Sequence, residues 1–270
     1  MVEYDFDGKV AFVTGGARGQ GRSHALRYGE HGASVVVADV ISEEPSPEHD
    51  EEVAYGVTET VELIEDRGGE ALGVPIDVSE EREVARAVET AVDEFGRIDF
   101  LVNNAGVAPV SGLLDLSEET WDRTLDVDLK GMWLCAKHVG RHMREREGGG
   151  RIVNTSSTAG LFASPGLGHY SAAKHGVLGL TKTLAAELAE DRVTVNAVCP
   201  TAVDTPMTSD IVEGMDEGLA EVAAYTQPDS LFGEILQPED VTAAVMWLSS
   251  EDARMVTGIA LPIAAGATAV

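Results

Sequence analysis

The chain is short of cysteine, of positive charge and of long apolar runs, and each shortage excludes a class of protein. Its two cysteines, Cys135 and Cys199, stand alone. Without a CxxC or a second spaced pair, neither a disulfide framework nor a cysteine metal site can be assembled, and no metal is expected. A reducing cytosol suits such a chain. No run of about 18 apolar residues is present to span a bilayer. The opening MVEYDFDGKV lacks the basic and apolar stretches of a secretion signal. The protein is therefore expected to be soluble and cytoplasmic, with no membrane partner.

Positive charge is the scarcest resource. Nineteen Lys and Arg, only five of them lysines, face 47 Asp and Glu, for a net charge of -28 on 270 residues. A field of that sign repels phosphate, so nucleic acid is not an expected partner. The acidity reads either as plain solubility or as adaptation to high salt, and the scarcity of lysine favours the second. A carboxylate-dense surface repels itself in dilute buffer, whereas molar salt shortens the Debye length to about 3 Å and removes the penalty.

Against these shortages stands a hydrophobic content of 44%, enough over this length for one domain covering 1–270. Short β-branched runs at 9–14, 34–39, 98–103, 151–156 and 192–198 alternate with helical periodicity. That alternation implies βαβ units around a parallel sheet covered by helices on both faces, an α/β fold. Val84, Val88, Ala91 and Phe95 recur at helical spacing after Ser79, a candidate N-cap followed by Glu80 and Glu81. No internal repeat interrupts this order. Two segments do: an insertion at 41–67, read as a loop from Ile41 to Glu52 followed by a helix from Val53 to Asp66, and a flap from Met207 to Pro238 broken by glycine and proline.

Directly after the first run come Gly15-Gly16-Ala17-Arg18-Gly19-Gln20-Gly21, leading into a helical segment. Glycines between a strand and a helix let the backbone turn tightly and let a pyrophosphate approach the helix N-terminus, where free N–H groups favour an anion. Gly15, Arg18, Gly19, Gln20 and Gly21 are the candidate residues there. The spacing G-x-x-x-G-x-G, without Lys-Ser/Thr, is not that of a P-loop NTPase. Asp39 ends the second run eighteen residues beyond Gly21. A carboxylate there can accept hydrogen bonds from ribose hydroxyls and repel a 2′-phosphate, which favours NAD over NADP. Arg18 pulls the other way, and the plainer reading of Asp39 is a solvated strand end.

Ser156-Ser157 and Tyr170-Ser171-Ala172-Ala173-Lys174 put hydroxyls, a phenol and an amine within eighteen residues. Tyr170 and Lys174, four apart, share one helix face. An adjacent ammonium favours the phenolate and lowers a tyrosine pKa that is otherwise about 10, which would let Tyr170 exchange a proton with a substrate oxygen. Alone, such a pair is an ordinary feature of a helix surface.

In combination the motifs are specific. The glycine turn, Asn103-Asn104-Ala105-Gly106, Ser157 thirteen residues before Tyr170, and Y-x-x-x-K, in this order over nearly the whole chain, resemble the short-chain dehydrogenase/reductase family, which implies a Rossmann-type fold, a doubly wound parallel sheet of about seven strands. The resemblance implies that Tyr170 is the general acid/base and that Ser157, with Ser156 as runner-up, bonds the substrate oxygen. Lys174 would bind the nicotinamide ribose and depress the tyrosine pKa. It further implies that Asn104, Ala105 and Gly106 line the cofactor, that Asp77 and Val78 face the adenine, and that Pro200, Val203 and Thr205 hold the carboxamide. Read without it, the Asn-Asn-Ala-Gly segment is a strand-end turn and Asp77 a helix cap.

Two positions depart from the family pattern. Val127-Asp128-Leu129-Lys130-Gly131 carries aspartate where the family usually has an asparagine holding a water of the proton relay, and Thr201 stands where glycine commonly follows the proline. Aspartate offers acceptors but no amide donor, which leaves the relay role of Asp128 open. Gly16 to Ala25, the acidic insertion, Ser156 to Leu161, His169 to Gly176 and Val256 to Ile263 are similar to the carveol-dehydrogenase or mycofactocin-associated subgroup. That likeness implies an alicyclic or terpenoid secondary alcohol or its ketone as substrate, and NAD that exchanges slowly beneath the insertion.

The family also implies a homotetramer through helices near 117–145 and 169–189. An extended-branch epimerase would show T-G-x-x-G-x-x-G and a longer C-terminal domain, and a non-catalytic regulator would not need Ser157, Tyr170 and Lys174 together. Specificity is expected in the flap and in the loop 161–169, where Leu161, Phe162, Leu167, Met207, Leu231 and Phe232 suggest an apolar pocket or simply pack the flap down.

Overall fold

A computed structural model describes residues 4–40, 50–226 and 230–269, with the backbone path alone for 50–55 and 222–226. In chain order the elements are β1 (Val10–Thr14), α1 (Gly19–Glu30), β2 (Ser34–Asp39), α2 (Asp50–Glu65), β3 (Glu70–Pro75), α3 (Glu81–Phe95), β4 (Phe100–Asn103), α4 (Glu118–Leu125) and α5 (Met132–Arg144). There follow β5 (Gly150–Thr155), α6 (Gly168–Glu187), β6 (Val193–Pro200), α7 (Pro206–Gly214), α8 (Glu217–Thr226), α9 (Pro238–Ser249) and β7 (Ala260–Ile263).

The strands form one seven-stranded sheet in the order β3-β2-β1-β4-β5-β6-β7, parallel throughout. Every residue of β1, β4, β5 and β6 is buried, which is why these strands read as continuous β-branched runs. Side chains of α3, α5 and α6 cover one face, and those of α1, α2 and α9 the other. After β3 the chain crosses back to start β4 beside β1, so the order reverses there. In doubly wound sheets ligands bind beyond the carboxyl ends of the strands at such a reversal.

Several boundaries differ from expectation. The edge strands β3 and β7 carry weak signals: β3 has a single buried residue, and β7 contains Pro262, which an edge tolerates. Of the insertion, residues 41–49 lie outside those described, while 50–52, expected as loop, already belong to α2. Among its described residues the flap carries two helices, α7 and α8, and near its end Leu236 pairs with Val203, which precedes it.

Ser79 is not the cap of α3, whose N-cap is the extended Glu80. The Ser79 amide and hydroxyl both donate to Asp77 Oδ1, at 2.9 and 2.7 Å. That local turn on Asp77 competes successfully for the serine and stands immediately before the helix. The buried stripe Val84, Val88 and Ala91 is as the spacing foretells. No described helix is long and apolar enough to cross a membrane.

Candidate active site

Thr14 ends β1, and the chain then turns through Gly15 at φ +68 and Gly19 at φ +54, left-handed values that favour glycine. A Cβ on Gly15 would stand 2.9 Å from Ala105 Cα, and one on Gly19 would stand 3.3 Å from Thr205 Cγ2. The turn, the segment after β4 and the segment after β6 thus meet with little room for side chains. No side chain caps α1, whose N-cap is Arg18, and its first turn holds no acid. Its free N–H groups and positive dipole end are left for an anion.

Asn104 braces this turn rather than standing apart as a simple strand-end residue. Its Nδ2 donates to the Thr14 carbonyl at 3.2 Å, and its amide donates to Thr14 Oγ1 at 2.9 Å. Asp39 is tied to the same turn. Its Oδ2 accepts the Ala17 amide at 2.9 Å and its Oδ1 the Val40 amide at 2.8 Å. Burial raises the Asp39 carboxyl above the ordinary aspartate range, against the pull of those two amides and of the Arg18 charge. It is not a solvated strand end. A glycine cradle, an open helix N-terminus and a carboxylate at the end of β2 fit a dinucleotide, with pyrophosphate at the first two and a ribose at the third. Val78 lies buried against Gly131 and Val203 is buried after β6, so both reach this side of the sheet.

The second cluster grows from the carboxyl ends of β5 and β6 and the first turns of α6. Ser157 follows β5, and its hydroxyl donates to the Pro200 carbonyl at 3.4 Å while accepting the Ala159 amide at 3.1 Å. Ser156 is turned away: it is buried and its hydroxyl donates to the Lys174 carbonyl at 3.0 Å. That separates the two candidate serines in favour of Ser157. On α6 the Lys174 Nζ stands 5.2 Å from the Tyr170 ring centre and donates to the Thr155 carbonyl at 3.1 Å.

Asp128 completes the cluster from a π-helical segment, Asp126–Gly131, between α4 and α5. Such insertions into helices gather at functional sites. Its Oδ2 is 3.3 Å from Lys174 Nζ, with both side chains almost fully buried, and its Oδ1 accepts the Val107 amide at 2.8 Å. Asp128 therefore reaches Lys174 directly. Burial, the largest single influence, would discharge Lys174, but Asp128, Tyr170 and Cys199 together outweigh it and hold the ammonium above the ordinary lysine range. Burial likewise raises the Asp128 carboxyl, opposed by Lys174.

The phenol of Tyr170 corrects an expectation. Burial holds it above the usual tyrosine value and Asp128 adds to the rise, while Lys174 and the Ser157 hydroxyl pull it down without prevailing. The spacing shows the ammonium, but neither the desolvation nor the carboxylate behind it.

The six apolar residues proposed as a pocket wall do not act as one group. Leu167 is buried, and pairs with Ser111. Leu231 packs over Gly266 near the C-terminus and is 60% exposed, with Phe232 76% exposed beside it. Sequence reasoning missed the link between Asn103, named there only as part of a motif, and Asn154, neighbours in register on β4 and β5: Asn103 Nδ2 donates to Asn154 Oδ1 at 2.9 Å, and Asn154 Nδ2 to Thr181 Oγ1 of α6 at 2.9 Å. This buried chain fixes α6 against the strand that carries Ser157. Its only signal is an asparagine at the end of each of two apolar runs.

Comparison with known proteins agrees with this geometry. A family model described as enoyl-(acyl carrier protein) reductase, of the short-chain dehydrogenase type, matches residues 15–268. The (-)-trans-carveol dehydrogenase of Rhodococcus erythropolis is 40% identical over 272 residues, covering 97% of this chain and 98% of that protein. The cis-4-hydroxycyclohexanecarboxylate dehydrogenase of Sinomonas cyclohexanicum is 38% identical over 98% of both chains. The crystal structure of carveol dehydrogenase from Mycobacterium avium in complex with NAD superimposes with a TM-score of 0.87 at 33% identity, covering 99% of this chain and 100% of that one. With the glycine turn, Ser157, Tyr170 and Lys174 placed as described, the chain belongs to the short-chain dehydrogenase/reductase family and is an oxidoreductase.

Proposed function

We propose that the protein is an NAD-dependent dehydrogenase that reversibly converts a secondary alcohol on an alicyclic ring to its ketone. The observation that carries this reading is the convergence of Ser157, Tyr170 and Lys174 at the carboxyl ends of β5 and β6, on the side of the sheet that holds the glycine turn. The ring is supported by two relatives, carveol and hydroxycyclohexanecarboxylate dehydrogenases, whose named alcohols are secondary and cyclic.

Gly15, Arg18, Gly19, Gln20 and Gly21 would hold the pyrophosphate and Asp39 the adenosine ribose. Asp77 and Val78 would face the adenine, Asn104, Ala105 and Gly106 the middle of the cofactor, and Pro200, Val203 and Thr205 the carboxamide. Bound NAD supplies the hydride acceptor in oxidation and, reduced, the donor in the reverse direction. In oxidation the carbinol carbon gives up a hydride and its oxygen gives up a proton to Tyr170. In reduction Tyr170 returns that proton. Ser157 exchanges its long bond to the Pro200 carbonyl for one to the substrate oxygen, fixing it beside the phenol. Lys174 holds positive charge beneath the tyrosine ring and would bind the nicotinamide ribose.

The test is NADH formation with a panel of cyclic secondary alcohols, comparing wild type with Tyr170→Phe. Loss of the phenolic proton carrier is expected to lower kcat by about 10²- to 10⁴-fold while NADH binding persists. Equal turnover in the two proteins would refute the mechanism. The same reading makes the protein a homotetramer through α4, α5 and α6. Trp121 and Trp133, 36% and 44% exposed on α4 and α5, support it, and light scattering tests it.

A further inference from the structure

Around the Lys174 ammonium the charged, titratable and polar groups among the described residues are few, and Asp128 is the one carboxylate. Tyr170 faces it from α6 itself, Asp128 from the π-helical segment, the Thr155 carbonyl from β5 and the Cys199 thiol from β6. Among the described residues the polar partners of Asp128 are Lys174 and the Val107 amide; its Oδ2 faces the Lys174 ammonium at 3.3 Å and takes no second donor. Gly106 closes the other side, where any Cβ would come within 3.2 Å of Oδ2. The carboxylate is thus held between a backbone amide and a single charged group, Lys174, the residue that charges the tyrosine's surroundings. It has no path of its own to a substrate oxygen among the contacts it makes.

We infer that Asp128 is a positioning residue that acts through Lys174: it anchors the ammonium and offsets its charge, so that Tyr170 stays a phenol at neutral pH. This rests on Tyr170 being the acid/base. A neutral amide at 128 would leave one net positive charge beneath the tyrosine; the carboxylate leaves none. In a site this dry an uncompensated unit charge is felt strongly. The protein is therefore set up to give a proton to the oxygen of a ketone near neutral pH, and to take one from an alcohol only in alkaline solution. The upward displacement of the Tyr170 phenol, to which Asp128 contributes, has the same sign.

The experiment compares wild type with Asp128→Asn, which keeps the shape of the side chain. Two quantities are read against pH: kcat for alcohol oxidation, and phenolate absorbance of the protein alone, isolated by subtracting the matching Tyr170→Phe protein. Both are expected to move toward lower pH in Asp128→Asn by about one unit or more. Curves that stay in place, even with a lower kcat, would make the carboxylate purely structural and overturn the inference.

Removing one partner of a buried pair can prevent folding. If it does, wild type is compared with Lys174→Met/Asp128→Asn, which removes the pair together and contains no unpaired buried charge. Because the inference makes the pair neutral toward the tyrosine, Tyr170 is expected to titrate within about half a unit of wild type, and a double variant that titrates at clearly higher pH, as loss of an uncompensated ammonium would require, overturns the proposal. If no alcohol in the panel is oxidised by the wild type, the proposed reaction fails, while the phenolate titration still decides the role of Asp128.

Discussion

Gly21 packs so closely on Gly15 that a Cβ on Gly21 would stand 1.9 Å from the Gly15 carbonyl oxygen. The obstacle is backbone, so neither residue can give way without moving the turn itself. Gly21→Ala is expected to weaken NADH binding at least about tenfold and to cost about 1–3 kcal/mol of stability, the usual range for overpacking. Fluorescence titration and thermal melting check the two effects. Gly179 on α6 is the control: a Cβ there meets nothing within 4 Å, and alanine is the better helix former. Gly179→Ala should leave both measurements level or slightly improved. If the two variants behave alike, the close packing of the turn has no role in binding.

Asp39 reaches from the end of β2 to the Ala17 amide inside the same turn, with the Arg18 charge nearby. A 2′-phosphate on the adenosine ribose would meet that carboxylate in partly buried surroundings, where opposing like charges costs several kcal/mol. The wild type is therefore expected to prefer NAD by at least about a hundredfold in kcat/KM, and Asp39→Ser to lose at least about a tenfold share of that preference. Steady-state kinetics with both cofactors measure it. A wild type that prefers NADP would show Arg18, not Asp39, to be the deciding charge.

The buried His24 of α1 bonds Thr242 Oγ1 of α9 through Nδ1 at 2.8 Å, and burial lowers its pKa to about 3. The folded-state value lies below the unfolded one of about 6.5, so the unfolded chain binds a proton that the folded chain refuses. Stability from this residue is complete above pH 6.5 and is lost progressively as the pH falls toward 3. At pH 5 the loss is about 2 kcal/mol relative to pH 7. Chemical denaturation of wild type and His24→Gln at both pH values isolates it. The variant should lose clearly less stability than the wild type on going from pH 7 to 5, and parallel losses would remove His24 from the account.

What the sequence made legible was local. The glycine turn, Asp39 and the Tyr170–Lys174 pair are defined by strand-to-helix succession and by spacing of four on a helix, and the structure places them accordingly. Asp128 and Lys174, by contrast, meet across the π-helical segment and α6, and Asn103 meets Asn154 only because β4 and β5 are parallel neighbours in that register. Spacing along the chain carries no information on either contact. The Tyr170 phenol is raised for the same kind of reason, because burial is a property of the assembled fold. Ser79 failed as a cap because Asp77, two residues earlier, competes for its hydroxyl, a rivalry between two good capping residues that composition alone does not decide.

The net charge of -28 gives the last prediction, because ion pairs on this surface cannot balance it. Those present, such as Arg22 with Glu59 and Arg27 with Glu30, are partly exposed and individually worth little, while 47 acids against 19 bases leave most carboxylates facing one another. Raising KCl from low concentration to about 1 M cuts the screening length to about 3 Å and weakens repulsion more than it weakens those few pairs. The melting temperature is expected to rise by several degrees at pH 8. Salting-out of apolar surface would also raise it, but that effect does not depend on net charge. The isoelectric point of about 4.4 separates the two causes, since repulsion fades as that pH is approached. A KCl effect that shrinks markedly by pH 5.5 identifies charge repulsion as its source. An effect of equal size at both pH values identifies salting-out, and a protein indifferent to KCl at pH 8 would leave its acidity as a matter of solubility alone.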